Sequence, residues 1–495
     1  MKFAIIGGGA TSVSLVDALD RRGLTQEIDL AVYEPEKEIG RGNAYRVDAG
    51  SALLNRQAEF MSIRWNEPRH FLGWLEKHPD PEVRAYAHPG TFPPRYLFGD
   101  YTSESFARLR DSWGDHGRSI EVFHDTAVSM TRGHEGRGIG ITTASGTTHT
   151  YDGAALCVGT AEPVDCYGLA GNPRYTNDPY PLWVTVETVD PDDHVAVLGT
   201  SLTAVDIVMA LLDRGHRGPI TMVSRRGLLP GVRQQHRDTT SAVLTETAVR
   251  RAADAPEGLT LAAVLELMRA ELAAHGIDPG ILDGEADPGE EPAARLARHL
   301  DLAERAELWQ PLLITAANDL IELVWSLWSD TERATYLRDY HHIFQSLCNP
   351  MPLRTAQRLL AAAGAGQLRM LGGIVDVRTQ GEAFDLVCRD ETFRADAVIN
   401  SAKRETAPSP AAATALCASL VNAGLGQYDD FGGLTVSTAD NRLVTAGPAA
   451  PSPVFALGQL SAGSLYYTSS LAMIARRVEL VADRIAEAVA LTKQQ

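Results

Sequence analysis

A glycine turn near residue 10 has the residue types and spacing of a phosphate-binding site. The apolar run at residues 3–6 is too short for a helix and predicts a strand, and apolar residues at helical spacing in 13–19 predict a helix. A turn between these elements points backbone N–H groups and the positive end of the helix dipole at one place, where a pyrophosphate can sit. The residues of this predicted phosphate-binding turn are Gly7, Gly9, Ala10, Thr11 and Ser12.

Two further residues refine this prediction. Ser12 stands where the dinucleotide fingerprint normally has its third glycine, and it is small enough for close packing of helix on strand. Glu34 ends a second apolar run at about twenty residues past the glycines, where an acid accepts hydrogen bonds from a ribose 2′-OH. The pattern predicts an adenine dinucleotide with free ribose hydroxyls, although a glycine turn alone could be only a turn.

A second nucleotide-binding pattern begins at residue 194, with strands predicted over 194–198 and 220–223. The second strand ends in an arginine pair instead of an acid, and two guanidinium groups would hold a 2′-phosphate by charge-assisted bonds. FAD at the first site and NADPH at the second is the simplest assignment; the alternative is a structural βαβ unit with solvated arginines. The predicted NADPH contacts are Gly199, Thr200, Ser201, Leu202, Thr203, Ser224, Arg225 and Arg226.

Other polar and glycine-rich segments could complete the FAD site. Arg41 could reach a cofactor phosphate or could be a solvated loop arginine, and the segment with Asn55 and Arg56 could form a flavin-facing wall or pack in the core. Near the C-terminus, a strand, a Gly-polar turn and an amphipathic helix would bring the chain back to the flavin. The remaining predicted FAD contacts are Arg41, Asn43, Asn55, Met61, Val128, Gly159, Thr160, Gly458, Gln459 and Thr468.

Composition excludes several classes of function. The chain has 495 residues, 44% apolar and 22% charged, and a net charge of −18, which disfavours binding to nucleic acid or anionic membranes. We find no secretion signal and no stretch with the roughly eighteen apolar residues of a membrane span, so the expected location is the cytoplasm. The five cysteines include no Cys-x-x-Cys, which disfavours a dithiol redox centre, and we expect no metal site.

The predicted fold class is α/β, with two Rossmann-like dinucleotide-binding domains and a helical insertion. The Gly-, Pro- and acid-rich stretch 278–292 within that insertion is expected to be a solvated loop. The predicted domains are the N-terminal part of an FAD-binding domain at 1–165, an NAD(P)H-binding domain at 190–238 and 367–400, a helical cap at 239–366, and a return to the FAD domain with a C-terminal helix at 401–495.

Taken together, these motifs resemble a family of bacterial two-dinucleotide flavoproteins of the FAD-NAD(P)-binding type. The similarity runs over most of the chain. Its motifs are Gly7–Ser12, Gly40–Tyr45, Leu53–Asn55 with Met61 and Ser62, Pro94 and Arg95 with Gly99, Leu202 and Thr203 with Asp206, Ser224–Pro230 and Ala456–Gly458.

Some members of this family are similar to N-hydroxylating monooxygenases of natural-product pathways, including ones that oxidise the amino group of aspartate toward a nitro compound. The resemblance implies an FAD-dependent, NADPH-using monooxygenase that acts with O₂ on a small amine or amino acid. The chain departs from the family pattern at 345–352 and 466–470, next to the expected flavin and substrate, so the substrate is not carried over.

Two alternatives remain open: a flavoprotein dehydrogenase or reductase that does not activate oxygen, and a non-catalytic flavin-binding protein. The sequence names no catalytic residue and leaves homo-oligomerisation open.

Overall fold

The computed structural model describes residues 1–133, 138–160, 163–287, 289–402, 413–445 and 451–493. Residues 403–412, in the predicted C-terminal return segment, lie outside this set. The chain divides into two compact units, of which the first contains residues 1–50, 56–162 and 404–495 and the second contains 51–55 and 163–403.

The strands of the described residues form four sheets, two parallel and two antiparallel. In chain order they are β1 Lys2–Ile6, β2 Asp29–Tyr33, β3 Ile120–Phe123, β4 Ala127–Arg132, β5 Ile139–Thr143, β6 Thr148–Tyr151, β7 Gly153–Leu156, β8 Tyr175–Thr176, β9 Val195–Leu198, β10 Ile220–Val223, β11 Leu368–Leu371, β12 Ile374–Gln380, β13 Ala383–Cys388, β14 Thr392–Ala395, β15 Ala397–Asn400 and β16 Val454–Ala456.

The described residues also form helices. In chain order they are α1 Ala10–Arg21, α2 His70–Lys77, α3 Pro81–Arg84, α4 Arg95–Asp115, α5 Leu182–Glu187, α6 Leu202–Asp213, α7 Glu246–Ala253, α8 Leu261–Ala274, α9 Ile281–Glu285, α10 Pro292–Glu304, α11 Trp309–Leu327, α12 Asp330–Asp339, α13 His341–Cys348, α14 Leu353–Gly364, α15 Thr414–Asn422, α16 Ala462–Leu465 and α17 Leu471–Thr492.

The first unit is built on a five-stranded parallel sheet in the order β16-β7-β1-β2-β3. Its inner strands β1, β2 and β7 are almost entirely buried, as expected for strands covered on both faces. Because parallel strands end at the same edge, the segments after β1, β2, β7 and β16 all begin at one side of the sheet. This edge carries the predicted FAD-binding residues that follow each of these strands.

Helices α1 and α17 of the first unit are joined by ion pairs. Arg21 bonds Glu479 at 2.5 Å and Arg22 bonds Asp483 at 2.7 Å. The C-terminal amphipathic helix predicted from the sequence is thus present as α17. Its buried apolar residues include Val478, Val481 and Ile485.

The second unit contains a parallel sheet in the order β11-β10-β9-β15-β8 and the antiparallel sheet β12-β13-β14. Helices α7 to α14 all lie between β10 and β11 in the chain, where the sequence predicted a helical block. The fold class predicted from the sequence is confirmed: two parallel, Rossmann-like sheets with an additional set of helices.

One local prediction was wrong. The stretch 278–292 is not simply a solvated loop, because it contains α9, whose Glu285 is only 2% exposed and pairs with Arg295 at 2.5 Å and Arg298 at 2.7 Å. Sequence reasoning also missed the long helix α4, which begins at Arg95. The segment 367–400, assigned to the NAD(P)H-binding domain, begins with the two strands β11 and β12, separated by a turn in which Gly373 has φ +85°.

Within the part of the chain that the structure describes, no helix combines the length and the apolar character needed to cross a membrane.

Gly99 allows α4 to approach the neighbouring loop, and this contact gives a test of the fold. A Cβ at Gly99 would lie 2.0 Å from the carbonyl oxygen of Tyr45, so Gly99→Ala should lower the free energy of unfolding by about 1 to 3 kcal/mol. Gly114 of the same helix is exposed and its Cβ would meet nothing within 4 Å, so Gly114→Ala should be neutral or stabilising by up to about 1 kcal/mol. Urea unfolding measures both variants, and equal stability of the two would contradict this packing.

Candidate dinucleotide-binding sites

The turn after β1 is closed tightly by the strand beside it. Gly7 has φ +99°, and a Cβ there would lie 2.2 Å from the carbonyl oxygen of Cys157, which follows β7. Ser12 is 1% exposed, and its hydroxyl donates to the Gly7 carbonyl oxygen. Ser12, the small residue at the position of the third glycine, therefore stabilises the turn by a buried hydrogen bond.

The start of α1 leaves backbone donors available to a ligand. Gly9 is its N-cap residue, no side chain caps the helix, and the first turn contains no acidic residue. The first N–H groups of a helix lack partners within the helix, and the helix dipole adds positive potential there. Gly9, Ala10 and Thr11 therefore have the arrangement of an anion-binding turn, and their contact with FAD stays a prediction.

Glu34 lies at the end of β2, beside this turn. One carboxylate oxygen accepts a hydrogen bond from Gly8 N at 2.7 Å and the other accepts one from Glu36 N at 3.1 Å. A Cβ at Gly8 would lie 2.7 Å from Glu34 Cγ, so the bare glycine backbone is what allows this approach. The acid is thus held next to the phosphate-binding turn by backbone donors.

The loop with Arg41 and Asn43 also lies against the first turn, since Gly40 N donates to Gly8 O at 2.6 Å. Arg41 itself is committed to protein partners: it pairs with Glu38 and Asp100 and donates to the Tyr96 carbonyl oxygen at 3.3 Å. It is not the solvated arginine of the alternative interpretation, because its side chain is only 15% exposed. Asn43 is exposed and accepts a hydrogen bond from Arg46.

The other predicted FAD contacts are spread over several strand ends. Gly159 (φ +79°) and Thr160 follow β7, and Gly458 (φ +71°) and Gln459 follow β16, so all four begin at the edge that carries Gly7 and Glu34. Val128 lies at an irregularity in the pairing of β4 with β5.

Three more predicted contacts lie outside these strand ends. Met61 is 4% exposed. The backbone carbonyl of Asn55, in the second unit, accepts a hydrogen bond from Arg233 at 2.6 Å. Thr468 is 8% exposed, and its hydroxyl finds no hydrogen-bond partner among the described residues.

The second turn, in the second unit, repeats the geometry of the first. Gly199 has φ +118°, and a Cβ there would lie 2.3 Å from the Ser401 hydroxyl, which follows β15. Ser201 is the N-cap of α6, again with no side-chain cap and no acidic residue in the first turn, where Leu202 and Thr203 begin the helix. Thr200 is 5% exposed and ties this turn to the next strand end, since its hydroxyl lies 3.0 Å from that of Ser224.

The end of β10 carries the predicted arginine pair in an exposed position. Arg225 and Arg226 are both exposed, and Ser224 Oγ accepts a hydrogen bond from Gly227 N at 2.9 Å, which fixes the turn that presents them. Arg226 donates to the backbone carbonyl of Arg338 at 3.1 Å. The guanidinium groups therefore lie where a 2′-phosphate would be bound in this type of fold.

Sequence reasoning missed the contribution of α12 to this strand end. Arg338 forms two bonds with Asp339, at 2.6 and 2.9 Å, and the pKa of Asp339 is lowered by Arg338 and also by Arg226 and His342. An acid and an arginine of the helical block therefore lie near Arg226. No pattern in the sequence links residues 226 and 338.

The residues of the first unit fit FAD. A turn that a Cβ would fill, an uncapped helix N-terminus, an acid after β2 and a buried hydroxyl without a partner belong to one unit of the chain. The strand order places Glu34, after β2, on one side of the β1 turn, and the turn after β16 on the other. Ribose, pyrophosphate and flavin would be held by these segments in that order.

Comparison with known proteins agrees with this geometry. Residues 4–161 match the model of the NAD_binding_9 family, described as FAD-NAD(P)-binding. Residues 4–161 are an FAD-NAD(P)-binding domain. This FAD-NAD(P)-binding domain confirms the predicted pair of cofactors and the predicted class, a flavin-dependent oxidoreductase.

One curated relative and two solved structures extend the comparison beyond the FAD-NAD(P)-binding domain. The chain is 24% identical over 258 residues to the uncharacterized protein YdhS of Escherichia coli K12, covering 46% of each chain, so the match spans about half of that relative. The ornithine hydroxylase of Pseudomonas aeruginosa has a TM-score of 0.61, 14% identity and coverage of 98% of both chains. The ornithine N-hydroxylase of Kutzneria sp. 744 has a TM-score of 0.60 and 14% identity, with 98% of this chain and 99% of that one covered. At this identity the two structures share the fold.

The rate at which the cysteines react with a thiol reagent tests the packing around the turn after β1. Burial raises the pKa of the Cys157 thiol to about 12, with a smaller opposing effect from Ser12, and burial raises that of Cys348 to about 12. Because a thiol with so high a pKa carries almost no thiolate at pH 8, only the exposed Cys166 should react quickly with a disulfide reagent. Cys166→Ser should abolish the fast phase, and a fast phase that survives this substitution would contradict the described burial.

Proposed function

We propose that the protein is an FAD-dependent, NADPH-using monooxygenase that N-hydroxylates a small amine or amino acid. The overall reaction balances as R–NH₂ + O₂ + NADPH + H⁺ → R–NHOH + NADP⁺ + H₂O. Bound FAD supplies the chemistry of electron transfer and oxygen activation, so the protein needs no nucleophile of its own.

The observation that carries this proposal is that side chains of opposite charge follow the second strand of each dinucleotide module. Glu34 ends the second strand of the first dinucleotide module and suits a free ribose, whereas Arg225 and Arg226 end the second strand of the other module and suit a phosphorylated one. A chain with both modules has the requirements for passing electrons from NADPH to FAD. A protein that only stored flavin would not need the second module.

The type of oxidation is supported by the comparisons. The two solved structures named above are an ornithine hydroxylase and an ornithine N-hydroxylase, and each covers at least 98% of this chain. We extend from them the class of reaction, oxidation of an amine nitrogen, and not ornithine as the substrate. O₂ and a small molecule with a primary amine are therefore the proposed partners, and NADPH is the proposed electron donor.

The chain's own residues would serve this reaction by binding and orientation. The N–H groups at the start of α1 would hold the FAD pyrophosphate and Glu34 the ribose hydroxyls. The N–H groups at the start of α6 would hold the pyrophosphate of NADPH, and Arg225 and Arg226 its 2′-phosphate. Substrate amine must be unprotonated to react, and an α-amino group with a pKa of about 8 is already neutral in roughly a tenth of molecules at pH 7.

The test of the proposed function is NADPH oxidation by the FAD-loaded protein in air, with a panel of amines and amino acids. We expect slow background oxidation that is accelerated by one class of substrate, with the matching hydroxylamine detected by mass spectrometry. NADPH oxidation that requires an electron acceptor other than oxygen would overturn the proposal in favour of a reductase. Flavin that NADPH does not reduce would favour a non-catalytic flavin-binding protein.

The arginine pair gives a separate prediction about cofactor choice. Replacing Arg225 and Arg226 together with alanine should remove the preference for NADPH over NADH, because it removes the charges that would pair with the 2′-phosphate. The ratio of kcat/KM for the two nucleotides measures this. Arg217→Ala is the control, since Arg217 is exposed, precedes β10 at its other end and pairs with Asp192 at 2.5 Å. An unchanged ratio in the double variant would contradict the second site.

A further inference from the structure

The backbone of the turn after β9 matches that of the turn after β1. In the first unit Gly7 N donates to Tyr33 O at 2.8 Å. In the second unit Gly199 N donates to Val223 O, also at 2.8 Å. The N-cap residues of the helices that follow, α1 and α6, have nearly the same backbone angles, with φ −79° in both and ψ −172° and −176°. The two turns can therefore be compared residue by residue.

The side chains differ at two neighbouring positions of the turns. Gly8 and Glu34 of the first unit correspond to Thr200 and Ser224 of the second. The first unit needs a glycine there, because a Cβ at Gly8 would lie 2.7 Å from Glu34 Cγ. The Glu34 carboxylate can then accept a hydrogen bond from Gly8 N at 2.7 Å. In the second unit, the residue that corresponds to this glycine carries a side chain.

Thr200 uses that side chain to form a hydroxyl bridge with Ser224 and Leu228, after the end of β10. Its hydroxyl, on a residue only 5% exposed, donates to Leu228 O at 2.7 Å. Because a threonine hydroxyl has one hydrogen, Ser224 must be the donor in the 3.0 Å contact between the two hydroxyls. Ser224 Oγ in turn accepts a hydrogen bond from Gly227 N at 2.9 Å. These bonds close the turn 224–228, which carries the arginine pair.

We propose that Thr200 determines the nucleotide specificity of the second site. The inference rests on the proposed function, in which this site binds NADPH, and it adds a determinant outside the arginine pair. The Thr200 side chain would exclude a ribose-binding acid of the Glu34 type from the end of β10. Its hydroxyl bridge would hold the arginine turn where the guanidinium groups can pair with a 2′-phosphate. Thr200 is thus a positioning residue, and the charges that bind the phosphate belong to the arginines.

The first experiment removes the hydroxyl bridge with little change in the size of the side chain. Dissociation constants of NADP⁺ and NAD⁺ are measured by isothermal titration calorimetry of the FAD-loaded protein, which requires no turnover. Thr200→Val should weaken NADP⁺ binding by about 3- to 10-fold, the typical effect of one hydrogen bond, and change NAD⁺ binding by less than about twofold. Thr200→Ser keeps the hydroxyl and should retain the wild-type affinity for NADP⁺.

Thr221→Val is the matched control for the loss of a buried hydroxyl. Thr221 lies on β10, is fully buried, and its hydroxyl is 2.9 Å from His194 Nε2. This variant should lower thermal stability about as much as Thr200→Val but leave the ratio of the two dissociation constants unchanged. Equal NADP⁺ affinity of wild type and Thr200→Val would overturn the inference. A change in the ratio as large for Thr221→Val as for Thr200→Val would also overturn it, because the role of Thr200 would then be merely structural.

The second experiment transfers the residue pair of the first unit to the second. Thr200→Gly combined with Ser224→Glu reproduces Gly8 and Glu34. This double variant should weaken NADP⁺ binding by about 10-fold or more, because a carboxylate repels the 2′-phosphate, and should tighten NAD⁺ binding by about 3- to 10-fold. Ser224→Glu alone should weaken NADP⁺ binding without tightening NAD⁺ binding, because the Thr200 side chain keeps the acid away from the turn. NAD⁺ binding as tight in Ser224→Glu as in the double variant would contradict this exclusion.

The binding measurements separate this inference from the proposed function. Wild-type protein that binds NADP⁺ no more tightly than NAD⁺ would overturn the inference, since there would be no preference for Thr200 to determine. Wild-type protein that prefers NADP⁺ but hydroxylates no amine would reject only the proposed reaction, and the variants would still decide the role of Thr200.

Discussion

Close backbone approach at two glycine turns is the constraint on which both dinucleotide sites depend. At Gly7 the carbonyl oxygen of Cys157 occupies the place of a Cβ, and at Gly199 the Ser401 hydroxyl does so, at 2.2 and 2.3 Å. In each unit the crowding atom follows a later strand, β7 or β15, that pairs with the strand leading into the turn. A distant part of the chain thus closes each turn, and the helix start is left with its N–H groups uncapped. Once this geometry is set, a phosphate is the natural ligand of both turns.

The strand that follows each turn would distinguish the two nucleotides. The turn itself recognises only phosphate, because backbone donors carry no information about the ribose. In the proposed assignment, Glu34 after β2 and the Arg225–Arg226 pair after β10 would supply that information with opposite charge. The same architecture, used twice with different residues at one position, would then give one chain two different dinucleotides.

Much of this arrangement could be predicted from the sequence because buried parallel strands are continuous apolar runs ending in glycine or polar residues. The strand predicted over 220–223 has those bounds, and the strand predicted over 194–198 begins one residue later. Helix α4 was missed because its buried positions alternate with many polar residues and it opens immediately after two prolines. The prediction for the acid-rich stretch 278–292 was wrong because its composition is typical of a solvated loop. In the fold, Glu285 is buried and pairs with Arg295 and Arg298, and the composition does not indicate these contacts.

The residues of the candidate sites also fall into two groups, those that the sequence could indicate and those that it could not. Glycines and strand ends are local features, so Gly7, Glu34 and Gly199 could be found from spacing alone. Arg41 could not be placed, because its partner Asp100 lies 59 residues away in the chain.

The central claim, that one chain holds FAD and NADPH at two different sites and passes electrons between them, is tested most directly by anaerobic titration of the FAD-loaded wild-type protein. The flavin absorbance is followed as NADPH is added. The account predicts that one equivalent of NADPH bleaches one equivalent of bound flavin, and that NADH does so much less readily. Protein that takes up no flavin, or flavin that stays oxidised in excess NADPH, would contradict it.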